Sequence, residues 1–164
     1  MKIIIDACSA ILLAKASVLE SCTEHHQVFM TESVYEEVIA GKEMMFPDAL
    51  IVERLKENQK LRIIKEDPLL TKKCMLDFNM GLGEASTVAI VIKEKGSIVL
   101  TDNRQGRKAA TINNLPLAGS IEMVVHLYQK KKISQEKAAL ALNILKEKGW
   151  FEPHLIEKAR EEIS

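Results

Sequence analysis

Four acidic residues, Asp6, Glu37, Glu84 and Asp102, have the types and places that metal chemistry requires. Asp6 ends the apolar run Ile3-Ile4-Ile5, and Asp102 ends Ile98-Val99-Leu100-Thr101. Open α/β sheets put their ligand sites at the carboxyl ends of their strands. Glu37 precedes Val38-Ile39-Ala40-Gly41, with Glu36 as an equally placed neighbour. Glu84 falls in the first helical turn after Gly81-Leu82-Gly83. Taken singly, Glu37 reads as a solvated helix residue and Glu84 as an acid suited to a helix dipole. Each aspartate alone reads as a polar cap to a strand. Taken together they point elsewhere. Mg²⁺ is held by a few carboxylates plus water. Cleavage of a phosphodiester by two metals about 3.5–4 Å apart needs a dense carboxylate cluster. Clustered carboxylates raise one another's pKa, so a fold that gathers them implies a cation.

The elements that must position these acids follow from hydropathy and turn signals. Ile3-Ile4-Ile5 is β-branched with no polar alternation, the mark of a strand buried on both faces of a parallel sheet. Helices are expected over 9–17 and 18–24, and a strand over 27–30. A helix follows, capped at Thr31 or Ser33; Ser33 with Glu36 forms a capping box, and Gly41 is the stop. Pro47 suits the first turn of a helix reaching about residue 59. A strand at 61–64, a helix at 69–78 and a helix from Gly81 to Gly96 come next. After the Asp102 strand come a helix over 104–110 and an edge strand at 115–118, where Pro116 is tolerated. Helices over 120–130, 135–148 and 153–163 close the chain. The β-α alternation predicts an α/β fold, a central parallel sheet flanked by helices on both faces. One domain, 1–164, is expected. The motifs lie in 1–125, with a helical C-terminal extension in 126–164 whose last two helices can stand as an appended subdomain.

Composition excludes several classes. Basic and acidic residues balance at 23 each. That argues against a non-specific nucleic-acid coat protein, which depends on many basic contacts. Cys8, Cys22 and Cys74 are odd in number and lack CxxC spacing, as expected for reduced thiols in a cytoplasmic protein. Met1 leads straight into a strand, which leaves no room for a signal peptide. No apolar run approaches the ~20 residues that span a bilayer. A Ser/His/Asp hydrolase lacks its Gly-x-Ser-x-Gly elbow.

The ordered quartet carries a resemblance. Asp6-Ala7-Cys8-Ser9 resembles the opening Asp-x-x-Ser/Thr of PIN-domain ribonucleases. Val34 to Gly41 resembles their second acidic motif, and that likeness favours Glu37 over Glu36. Gly81 to Ala89 resembles the third motif, and Leu100 to Arg107 the fourth. The tail, including Gly149-Trp150-Phe151, is similar to that of a prokaryotic subgroup related to VapC-type toxins. The resemblance implies an endoribonuclease dependent on Mg²⁺ or Mn²⁺, with the quartet as ligands. It also implies RNA as substrate, a homodimer and an antitoxin partner that holds the enzyme inactive. An RNA-processing nuclease without an antitoxin, or a catalytically quiet RNA- or protein-binding module, are the alternatives. Many relatives carry a second aspartate where this chain has Asn103, which can coordinate through its carbonyl but brings no charge.

Other residues are expected to support the site. Ser9 suits a helix N-cap and a partner for Asp6. Thr101 and Asn103 flank Asp102. Arg104, Arg107 and Lys108 follow closely and suit RNA phosphates. Lys130-Lys131-Lys132 reads as a helix C-terminal charge run. His25 and His26 read as surface residues, and Trp150 as an anchor for the tail.

Overall fold

A computed structural model describes residues 1–164. Five strands form one parallel sheet: β1 Lys2–Ile5, β2 Gln27–Thr31, β3 Leu61–Ile64, β4 Ser97–Leu100 and β5 Leu117–Ala118. Their order is β3-β2-β1-β4-β5, so β1 is central and the chain reverses direction across the sheet beside it. Ile4 pairs with Phe29 of β2 on one side and with Val99 of β4 on the other. A strand enclosed by neighbours and covered on both faces has no use for polar residues, which is why Ile3-Ile4-Ile5 are all fully buried. Successive side chains on a strand point to opposite faces. Ile3 and Ile5 accordingly join the larger core, and Ile4 the smaller one on the other face.

Ten helices clothe the sheet. On the side of the larger core lie α1 Ala7–Lys15, α2 Leu19–His25, α3 Glu32–Ile39, α4 Pro47–Glu57, α8 Ser120–Gln129, α9 Gln135–Lys148 and α10 Pro153–Ile163. On the other lie α5 Pro68–Phe78, α6 Leu82–Lys93 and α7 Arg104–Ile112. The last two helices share the main core: Ala138, Leu142 and Ile156 lie in the same cluster as Ile3 and Leu13. No single helix is long and apolar enough to cross a membrane.

Local chemistry sets the boundaries, and the structure corrects two of them. Asp6, not Ser9, caps the first helix, which therefore starts at Ala7, because the Asp6 carboxylate accepts from the Ser9 N–H. Thr31, not Ser33, caps α3, accepting from the Val34 N–H at 3.2 Å. The Ser33 N–H instead donates to Glu66 Oε1 at 2.5 Å, so Ser33 and Glu36 form no capping box. Proline opens α4, α5 and α10, where its missing N–H costs nothing. Asp6 and Asp102 therefore stand at strand ends, Glu84 in the first turn of α6 and Glu37 in the last turn of α3.

Candidate active site

The crevice lies at the carboxyl ends of β1 and β4, where the strand order reverses. Asp6 directly follows β1, and its N–H donates to the Leu100 carbonyl at 3.1 Å. Residues 101 and 102 leave β4 at the same level. Asp6 is almost wholly buried. Its Oδ1 accepts from the Ser9 N–H at 2.9 Å, so Asp6 is itself the N-cap of α1. Its other oxygen accepts from the Thr101 hydroxyl. Burial, which disfavours the charged form, raises Asp6 to about 6 against the pull of these donors; the nearby Asp102 charge adds to the rise.

Asp102 is gripped from two elements. Ser9 donates its hydroxyl to Oδ2 at 2.7 Å. Ser120 donates its N–H to Oδ1 at 2.8 Å and its hydroxyl to Oδ2. Asp102 therefore also faces the first turn of α8, where free N–H groups favour an anion. Arg107 lies alongside, donating to the Thr101 carbonyl at 3.1 Å and to Glu122 at 2.9 Å. Gly119 is needed here. A Cβ on it would stand 2.6 Å from Asp102 Oδ1 and 2.7 Å from Arg107 Nη1.

The two glutamates meet across helices α3 and α6. Gly83 leaves the space that Glu37 occupies, since a Cβ there would lie 2.7 Å from Glu37 Oε2. This is the physical content of the Gly-Leu-Gly-Glu stretch. Glu84 turns one oxygen back to the Gly81 N–H at 3.1 Å, capping its own helix, and the other to the Asn103 side-chain amide at 2.9 Å. Burial and then the charge of Glu84 raise the pKa of Glu37.

Cys8 feels the charge of all four acids. Although part of this residue reaches the surface, desolvation of its thiol and then the charges of Asp6, Asp102, Glu84 and Glu37 push it up to about 12. The donor set, four carboxylates from four chain segments, suits a hard divalent cation in kind. Burial first, and then the charge of a neighbouring acid, raises Asp6 and Glu37, and a cation would favour the charged form of both. No three of these groups stand at metal-ligating spacing in this structure. The oxygens of Asp6, Asp102 and Glu84 accept from Ser9, Thr101, Ser120, Asn103 and Gly81, while those of Glu37 accept from none of them, so a cation competes with the hydrogen bonds of three acids.

The remaining expected residues divide. Ser9, Thr101 and Asn103 stand among the acids. Asn103 accepts from the Gln105 and Gly106 N–H groups at 2.8 and 3.0 Å and so caps α7. Arg104 and Lys108 are exposed on α7, while Arg107 is half-buried and tied to Glu122. His26 is a correction. It is half-buried against His126, ring centroids 5.3 Å apart, and neither ring nitrogen finds a hydrogen-bond partner. Trp150 is another: it is 104% exposed, and Phe151 is the residue that packs on the tail.

Sequence reasoning passed over Ser120, Gly119 and Cys8. For the first two a signal existed. They follow β5, the strand beside β4, and so emerge at the same edge as Asp102. A family model described as a PIN domain matches residues 2–164. No curated protein matches the chain.

Proposed function

This chain belongs to the PIN-domain family, whose members are generally nucleases, and we propose that it is a Mg²⁺- or Mn²⁺-dependent endoribonuclease hydrolysing RNA phosphodiester bonds. The observation that carries this reading is that Ser9 bridges Asp6 and Asp102 at the ends of the central strands, with Glu84 tied to Asn103 next to Asp102 and Glu37 set against Gly83 next to Glu84. Asp6, Glu37, Glu84 and Asp102 would hold the cation. When bound, the cation supplies a nucleophilic water at neutral pH and stabilises charge developing on the phosphate.

The chain's own residues do the positioning. Ser9 bridges the two aspartates through its N–H and its hydroxyl. Thr101 holds Asp6, and Ser120 holds Asp102, each from a rigid element. Asn103 fixes Glu84. Arg104 and Lys108 face solvent on the helix that starts beside Asp102 and supply contacts for RNA phosphates. Arg107 stays tied to Glu122 and to the Thr101 carbonyl and steadies the segment that carries Asp102.

The setting we propose is the toxin of a type II toxin–antitoxin pair, a VapC-like homodimer silenced by an antitoxin in the cytoplasm. Three unpaired cysteines suit that reducing compartment. A processing nuclease without an antitoxin is the alternative within the same chemistry. One observation favours a different class. Asp6, Glu84 and Asp102 are each held by hydrogen bonds within the chain, and no three acids are arranged for a metal, as suits a catalytically quiet binding module.

The deciding experiment is RNA cleavage by purified protein with Mg²⁺ or Mn²⁺ and with excess EDTA, alongside Asp6→Asn. Cleavage that needs metal and is lost in the variant supports the nuclease. Activity in EDTA sinks the metal mechanism, and RNA left intact under every condition leaves the binding module. A small neighbouring gene whose product co-purifies with the chain and stops cleavage supports the toxin setting; free activity beside any neighbour removes it.

A further inference from the structure

Next to the acidic crevice lies a cavity of about 640 Å³ whose wall includes Asp102. We propose that it is a nucleotide subsite for single-stranded RNA, in which a base adjoining the cleaved bond stacks on Trp150. The proposal rests on the nuclease reading and adds the substrate contact that reading lacks. The volume falls in the range of roughly 300–1,000 Å³ typical of small-molecule sites, enough for one nucleotide.

Trp150 is set outward by construction. Residues 149–152 join α9 to α10, and Gly149 and Glu152 are extended. Along extended chain successive side chains point to opposite sides. Phe151 turns in against the main core, so Trp150 turns out. Gly149 makes this possible, because a Cβ on it would collide with the Phe151 ring. A fully exposed indole is unfavourable for a tail anchor but suited to stacking: every base offers a π-face to such a platform.

The charges divide to match a nucleotide. Val125, Phe151 and Leu155 supply apolar wall to the same cavity that Trp150 borders. Glu122 on the wall is already paired with Arg107. At the rim Arg104 and Lys158 balance Glu152 and Glu162. An uncharged base thus meets an apolar floor, while the cations are available to the phosphates that flank it. Continuity through Asp102 places the occupant beside the candidate metal site.

Trp150 is the only tryptophan of the chain, so its own emission reports the contact. A short single-stranded oligoribonucleotide is titrated onto the protein at low salt, in EDTA and in Mn²⁺, with RNA integrity followed on a gel. Saturable quenching is expected from the single strand and much less from a duplex. By anisotropy Trp150→Ala should bind the same strand about tenfold more weakly, with Trp150→Phe recovering most of the loss. In steady-state cleavage the alanine variant should raise KM and leave kcat nearly unchanged. Emission that RNA moves in neither condition, while wild type and Trp150→Ala cut RNA alike, overturns the subsite and spares the nuclease. That face would then belong to a protein partner. Emission unmoved with no cleavage overturns both. Quenching without cleavage keeps the subsite and removes only the nuclease.

Discussion

Asn103 donates its side-chain amide to Glu84 at 2.9 Å while its carbonyl oxygen caps helix α7. One uncharged residue therefore does two jobs that a carboxylate at this position could not combine. Aspartate is as good a cap as asparagine. It has no proton to give to Glu84, and its charge would be the fifth in the crevice.

Asn103→Asp should therefore fold, but less stably without metal. Losing the donor and adding a like charge should cost about 1–3 kcal/mol, a fall of roughly 2–12 °C for a chain of this size. Added Mn²⁺ should restore more stability to the variant than to the parent, because the new oxygen attracts the cation. Melting curves with and without Mn²⁺ measure both effects. Equal responses of the two proteins would take residue 103 out of the metal's reach.

Asp6 predicts a pH dependence. The native carboxyl is raised from 3.8 to about 6, chiefly by burial, so the native state holds this proton more tightly than the unfolded chain. The contribution of the group to stability is present in full below 3.8 and is lost as pH rises through about 6. The difference corresponds to about 3 kcal/mol. Burial lowers His26 to about 4, helped by the amino terminus and His126. Its contribution is present above 6.5 and is lost as pH falls through about 4. The two oppose each other in the parent, so the readout is Asp6→Asn minus parent. In EDTA that difference should move in favour of the variant as pH rises from 4 to 7. Parallel curves would mean that Asp6 is charged throughout.

Much of this arrangement is legible in the chain. A strand buried on both faces must be apolar, so Ile3-Ile4-Ile5 announced β1, and a polar residue after such a run has to face the sheet's end. Pro47 marked the start of α4, and the positions of α9 and α10 were legible in the chain. What could not be read depends on neighbours distant in sequence. Ser120 finds Asp102 only because β5 lies beside β4. Ser33 offers a sound local cap, yet Glu66 claims its N–H from 33 residues away. Trp150 and Phe151 are adjacent and both apolar. Composition favours the larger as the anchor, while the packing around Gly149 selects the other.

Metal binding should be visible in stability before any RNA is added. A ligand that binds only the native state at a hundredfold over its Kd stabilises by about 2.7 kcal/mol. Here it would also favour the charged forms that burial, and to a lesser degree neighbouring acids, disfavour at Asp6 and Glu37. Mn²⁺ should therefore raise the melting temperature, and Asp102→Asn should blunt the rise. A melting temperature indifferent to millimolar Mn²⁺ in the parent would count against a cation site in this crevice.

The last prediction separates the two glycines ahead of Glu84. At Gly81 an added Cβ meets nothing closer than Glu84 Oε2 at 3.7 Å, an ordinary contact, and the backbone there is extended. Gly81→Ala should fold normally and keep most of its activity. At Gly83 the same methyl would lie 2.7 Å from Glu37 Oε2 and 3.4 Å from a Val34 methyl. The atom in the way is the far end of a flexible, exposed side chain, so the fold can survive by moving Glu37 aside. Alanine also favours the helix by roughly 1 kcal/mol over glycine, which offsets the crowding. Gly83→Ala should thus melt within a few degrees of the parent while its metal-dependent cleavage falls at least tenfold, about 1.4 kcal/mol in the barrier. The comparison is made in one series of melts and Mn²⁺ titrations on both variants. If Gly83→Ala cuts RNA at the parent's rate, Glu37 is dispensable and the ligand set reduces to Asp6, Glu84 and Asp102. If instead it unfolds while Gly81→Ala does not, the close approach of α3 and α6 serves packing and not the site.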